Sequence, residues 1–185
     1  MNAKADHSNF KMELDEEALD RARGSIEDGA VTRESNPWGE QIIALLQGAL
    51  ATELVCVLRY KRHHYTAKGL SSPAVAAEFM EHAQEETVHS ESIAQRIVQL
   101  GGAPNFNPAT LLENSHAEYD ESTELLAMIR SNLVAERVAV EAYRQMVEMI
   151  GDKDPTTRRM LVDILSQEEE HADELSDLLA QSSRG

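Results

Sequence analysis

Apolar residues recur at three- and four-residue spacing in four long stretches of the chain, the period at which side chains line one face of an α-helix. In the first stretch the face reads Ile42, Leu46, Leu50, Glu53, Val57, Tyr60, and in the second Val75, Phe79, Ala83, Glu86, Ser90, Ile93, Ile97. The third gives Leu125, Ile129, Leu133, Glu136, Val140, Tyr143, Val147, and the fourth Leu161, Ile164, Glu168, His171, Leu175, Leu178. Start and stop signals bracket each face. Asn36-Pro37 opens the first predicted helix, which ends near Gly69; Ser71-Ser72-Pro73 opens the second, which ends at Gly101-Gly102. The third runs from near Ser122 to Gly151, and the fourth from Asp154-Pro155 to about Ala180. Helices of about 25 to 30 residues would be about 40–45 Å long.

The links between the first and second helices, and between the third and fourth, are short, so each pair is an antiparallel hairpin. Residues 102–121 form one long crossover between the hairpins, with room for a small helix in LLENSHAEY. The expected fold is all-α: an antiparallel four-helix bundle with a single long crossover. The bundle domain is placed at 36–182. Residues 1–35 form an N-terminal extension, with a short helix over Phe10 to Ala22 whose apolar face is thin; it packs on the bundle or a neighbouring subunit, or stays disordered.

Composition agrees with the helical reading. Glycine (9), proline (5) and aromatic residues (4%) are scarce among the 185 residues, and strong helix formers dominate. The net charge of −16 argues against nucleic acid as a partner, whose affinity rests on Lys and Arg, and suits attraction of cations. One cysteine, Cys56, excludes an intrachain disulfide. No secretory signal is evident, and no apolar run approaches the length of a membrane span, so a cytoplasmic protein is expected.

The chemistry lies where the apolar faces break. Each is interrupted about halfway by a glutamate, and a carboxylate in an apolar seam costs several kcal/mol unless paired, protonated or bound to a metal. In the second and fourth helices a histidine follows three residues on, in Glu86-Thr-Val-His89 and Glu168-Glu-Glu-His171, so both side chains reach one inward point. Glu53 and Glu86 are 33 residues apart, Glu136 and Glu168 32; each hairpin therefore sets a lone Glu opposite a Glu-x-x-His. The repeat predicts a near-symmetric site for two divalent cations, whose charge balances four carboxylates while the histidines bind as neutral imidazoles. Such oxygen-rich ligation suits Fe(II) or Mn(II) rather than structural zinc. A third Glu-x-x-His, Glu113-Asn-Ser-His116, has neither stripe nor hairpin partner and is read as chance.

At these residues the chain resembles the ferritin-like di-iron carboxylate proteins, and over roughly residues 37 to 180 the bacterioferritins. The resemblance implies that Glu86 and Glu168 bridge two irons. Glu53 and Glu136 would be terminal ligands, His89 and His171 would each give one nitrogen, and Tyr60 would support a site carboxylate. It also implies ferroxidase activity, with Fe(II) oxidised by O₂ or H₂O₂ and Fe(III) stored in a homo-oligomeric cage, in the service of iron storage and detoxification. Two departures qualify it. Thr87 stands where bacterioferritins carry a haem-ligating methionine, which argues against haem. Few residues follow His171, which leaves no short fifth helix; with the extension and long crossover, this resembles the twelve-subunit Dps-like cages. The ligand set is also compatible with a manganese catalase or a di-iron oxidase, and a metal-free helical scaffold is a third class. Among remaining residues, Cys56 is read as a small buried hydrophobe and His82 as a surface or hydrogen-bonded histidine. His63-His64 suits a helix terminus, the methionines suit packing, and Trp38 anchors the first helix.

Overall fold

Each apolar-striped segment folds into one long helix. The computed structural model describes residues 13–24, 26, 29–33, 35–69 and 72–182, and among these every regular element is helical: α1 (Glu16–Gly24), α2 (Gly39–Thr66), α3 (Ser72–Gln99), α4 (Leu111–Asn114), α5 (Leu125–Ile150) and α6 (Pro155–Ser182). The fold is the expected all-α bundle. Packing is densest within the hairpins α2–α3 and α5–α6, with α2 against α5 and α3 against α6 joining them and α4 of the crossover resting on α2. Two termini show how the sequence sets the bounds. Gly151, at φ +51°, closes α5 with its N–H on the Val147 carbonyl at 3.0 Å. Gly101, at φ +86°, ends α3 just before Gly102, whose N–H reaches the Ile97 carbonyl at 2.9 Å.

Some expectations shift. α2 begins at Gly39 rather than at an Asn36 cap. The Asn36 amide is instead committed across the bundle, donating to Asp154 Oδ2 at 2.9 Å. Trp38 is half-exposed, with the Lys153 ammonium 5.6 Å from its ring. α1 starts later than predicted and has no buried residue, while the Phe10 end of that prediction and the Ser71 start signal lie outside the described residues. The expectation that no apolar run reaches a membrane span fails by composition: an 18-residue window in α2 has mean hydropathy 1.8. That window is 56% buried within the bundle and includes the buried Glu53, so its apolarity is that of a core helix.

The core is split in two. One apolar cluster gathers Ile42, Leu46, Leu50, Ile93, Ile97, Tyr143, Met146, Leu161 and Ile164; the other gathers Cys56, Tyr60, Phe79, Met128, Ile129, Leu133 and Leu175. Between them lies a layer of buried polar side chains. Two polar clamps set the register. At one end Arg96 donates to both oxygens of Asp154 at 2.9–3.0 Å, and Asp154 accepts from the Thr157 N–H at 2.9 Å, capping α6. Further along, the buried Arg59 donates to Asn132 Oδ1 at 2.8 Å and to the Glu118 carbonyl at 3.0 Å, tying α2 to α5 and to the crossover.

Burial opposes ionisation of Asp154, but hydrogen bonds from Thr157 and Arg96 outweigh it and hold its carboxyl below the usual aspartate value. The contribution is therefore complete above about pH 4 and is lost as the pH falls through the lowered value. Asp154→Asn, which leaves Arg96 charged and buried, should cost about 3 kcal/mol at neutral pH. Measured by thermal melting, its deficit against wild type should narrow steadily as the pH is taken from about 5 down to about 2; a constant deficit would show that the carboxylate charge is not what clamps the hairpins.

Candidate metal centre

Four helices each place one glutamate in the polar layer. Glu53 (α2), Glu86 (α3), Glu136 (α5) and Glu168 (α6) are each 1% exposed, and His89 and His171 are each 2% exposed. All six residues singled out by the stripes come together. His89 Nδ1 lies 3.3 Å from Glu53, 3.2 Å from Glu86 and 3.0 Å from Glu168. His171 Nδ1 lies 3.9 Å from Glu136 and 3.8 Å from Glu168. Among the described residues four clusters have ligand atoms within 4.8 Å of one another; two are fully buried, Glu53, Glu86, His89, Glu168 and Glu86, Glu136, Glu168, His171, and two lie beside them around His82, with Glu85 and His171 and with Glu78 and Glu174. The two buried clusters share Glu86 and Glu168, so the same pair of carboxylates would be within reach of a cation held in either.

The donor set fits divalent metal on its own terms. Among the described residues, Glu53 Oε2, Glu86 Oε1, Glu136 Oε2, both oxygens of Glu168 and His171 Nδ1 are buried without a hydrogen-bond partner. A fold that leaves this many acceptors unsatisfied in one dry layer is unstable without a positive charge to share among them. The electrostatics agree. Burial, and then the neighbouring carboxylates, push Glu86 and Glu168 well above the usual glutamate range. Burial also opposes ionisation of Glu136, but contacts with His171 and Glu168 bring it down to about 2. Burial disfavours the charged form of both histidines, yet facing carboxylates raise them above the ordinary imidazole value. Glu86, Glu168 and the two histidines thus hold protons more readily than free groups, and Glu53 and Glu136 less readily, so positive charge is drawn into the layer.

Tyrosines clamp the two outer carboxylates. Tyr60, expected from the resemblance to support a site carboxylate, donates to Glu136 on the other hairpin, and Tyr143 donates to Glu53. Tyr143 was legible as well, since it follows Glu136 by the seven residues that separate Tyr60 from Glu53. Sequence reasoning also missed the partners that aim the histidines. His89 Nε2 donates to Gln167 Oε1 and His171 Nε2 to Glu85 Oε2, both at 2.8 Å, which turns each Nδ1 inward. Gln167 and Glu85 immediately precede the motif glutamates, a signal available in the sequence once the helices are known to be neighbours.

The remaining candidates sort plainly. His82 is buried, stacked on His171 at 4.2 Å between ring centres, and lies 3.1 Å from the Tyr60 hydroxyl and 2.9 Å from Glu174. Burial and then the neighbouring His171 lower its pKa to about 4. Cys56 is buried, and desolvation pushes its thiol well up, so it is a packing residue. His63 lies in the last turn of α2 as expected, and its side chain is buried against Asn132 and Asp120. His116 is exposed beside Thr52, apart from the ligand clusters.

Fold and site define a ferritin-like bundle, and sequence comparison agrees: the ferritin-like domain family matches residues 43–184, and the chain belongs to that family. The chain is 30% identical to the nutrient stress-induced DNA-binding protein of Synechococcus over 77% of this chain and 83% of that one. It is 26% identical to the bacterioferritin of Desulfovibrio desulfuricans over 71% and 70%. Among solved structures it is similar to the dodecameric thioferritin of Bacteroides fragilis, a bacterioferritin-related protein, with TM-score 0.77, 28% identity, and 92% and 96% of the two chains covered.

Glu168→Gln keeps the shape of the side chain but removes its capacity to ionise. Without metal, where burial already favours the neutral carboxyl, the variant should melt within about 2 °C of wild type. Wild type should gain stability on anaerobic Co(II) addition, by about 2.7 kcal/mol for each ion bound at a hundredfold excess over its Kd, and the variant should gain much less. Calorimetric melting reads both; equal gains would remove Glu168 from the site.

Proposed function

We propose that the protein is a ferroxidase that oxidises Fe(II) at an intrasubunit pair of metal positions and stores the Fe(III) inside a homo-oligomeric cage, for iron storage and detoxification. The observation that carries this reading is the pair of ligand clusters sharing Glu86 and Glu168. Two Fe(II) held side by side release two electrons together, so H₂O₂ takes up both, with two protons, and leaves as two waters; O₂ is reduced in the same way to H₂O₂. Delivering electrons in pairs avoids free radicals.

The chain's own groups support each requirement. Four carboxylates favour the higher charge of Fe(III) over Fe(II), which is what drives oxidation at the site. Tyr60 and Tyr143 hold Glu136 and Glu53 in place, leaving Glu86 and Glu168 as the shared ligands. The apolar clusters above and below keep bulk water from the layer and strengthen every charge interaction within it.

Assembly as a twelve-subunit cage in the cytoplasm is part of the same reading, supported by likeness to a protein described as a dodecameric, bacterioferritin-related thioferritin. Relatives are named for DNA binding or DNA protection, yet a net charge of −16 opposes a polyanionic partner.

Size-exclusion chromatography with light scattering, before and after aerobic Fe(II) loading, tests storage. A dodecamer retaining many irons per chain is the expected result; a monomer holding two would point to the di-iron oxidase chemistry instead. Glu86→Ala should lose fast Fe(II) oxidation, by a factor of about 100 or more, while eluting at the wild-type position. Unchanged kinetics would place oxidation elsewhere.

A further inference from the structure

The internal repeat that builds the centre is not carried into its surroundings. A shift of 82 positions maps Glu86-x-x-His89 onto Glu168-x-x-His171. It also maps Glu85 onto Gln167, and these two make reciprocal contacts: each lies one residue before its own motif glutamate and accepts from the Nε2–H of the other motif's histidine at 2.8 Å. The geometry is the same on both sides, but the charge is not. An anion stands behind His171 and a neutral amide behind His89.

The walls beyond them diverge in the same direction. A cavity of about 210 Å³ at His171 is lined by that histidine, Gln167 and five glutamates, Glu78, Glu81, Glu85, Glu170 and Glu174. The cavity at His89 has Val88, Ser92, Arg159, Met160, Asp163 and Ile164 in its wall. Under the 82-residue shift, Glu78 becomes Met160, His82 becomes Ile164, and Ser92 and Val88 become Glu174 and Glu170. Every one of these differences leaves more charge or polarity on the His171 side. Burial, together with the neighbouring acidic side chains, raises Glu78 and Glu174 even though His82 and His171 lie beside them and act the other way.

We infer that the two metal positions are unequal by construction: the one served by His171 binds a divalent cation first, and Glu85 and Gln167 are the positioning residues that set the order. A carboxylate accepting the imidazole N–H makes the opposite nitrogen a stronger donor, whereas an amide oxygen does so weakly. The acidic wall adds to this by raising the local concentration of cations. The inference rests on the two-metal reading above and adds to it a loading sequence.

Anaerobic Co(II) titration of the full chain, followed by visible absorbance and calorimetry, tests it. Wild type should show two steps of one ion each, with affinities at least tenfold apart, and anomalous diffraction at one Co(II) per chain should place that ion beside His171. Glu85→Gln should weaken the first step by about 10- to 100-fold and bring the two together. Gln167→Glu, which tests the same point from the other side, should strengthen the second, and the double variant should reverse the order of filling. Two ions binding with indistinguishable affinity, first occupancy beside His89, or steps unmoved in both single variants would overturn the inference and leave the two-metal reading standing. Failure to bind Co(II) at all would overturn both.

Discussion

Four carboxylates at one level of a dry helical core are the constraint around which this protein is arranged. Each alone would be expelled to solvent or kept protonated. Together, with several of their oxygens left without hydrogen-bond partners, they become tolerable only by sharing positive charge, from protons on the histidines or from cations. The core is divided to serve this layer. The apolar clusters on either side contribute the stability that the layer does not, and they keep water from relaxing it.

Bringing four carboxylates level requires that neither hairpin slide, and a slip of one helical turn moves a side chain by about 5.4 Å. Apolar stripes resist sliding poorly, since one leucine replaces another at nearly equal depth. The buried polar clamps resist it well. Arg96, Asp154 and Asn36 lock the ends of α3, α6 and α2 together, while Arg59 and Asn132 lock α2 to α5. Displacing either clamp strands a buried guanidinium, at a cost of about 3–5 kcal/mol. Tyr60 and Tyr143 then finish the alignment by crossing between hairpins to the carboxylate of the other one.

A duplicated ligand set gives near-symmetry cheaply, because one local rule, Glu-x-x-His on an inward face, is used twice. The surroundings were free to diverge. The acidic cavity beside His171 and the mixed one beside His89 give two chemically matched clusters different electrostatic settings, in the same direction as the exchange of Glu85 for Gln167 behind the two histidines.

What the sequence determined by itself was whatever repeats at helical spacing or punctuates it. The four helices, their turn signals at Gly101 and Gly151, the small helix in the crossover and the six glutamate and histidine side chains that converge in the core were all legible, because each depends on residues close in the chain. The seven-residue offset of Tyr143 from Glu136 carried the same kind of signal. Tertiary structure decided which groups across the bundle meet. It turned Asn36 from an expected cap into a strut on Asp154, buried His63 and His82, and sent each tyrosine to the opposite hairpin. It also paired Glu85 with His171 and Gln167 with His89. The bonds of Asn36, of the two tyrosines and of His89 and His171 join residues 76 to 118 positions apart. The angle and rotation of packed helices decide such meetings, and no local periodicity encodes either.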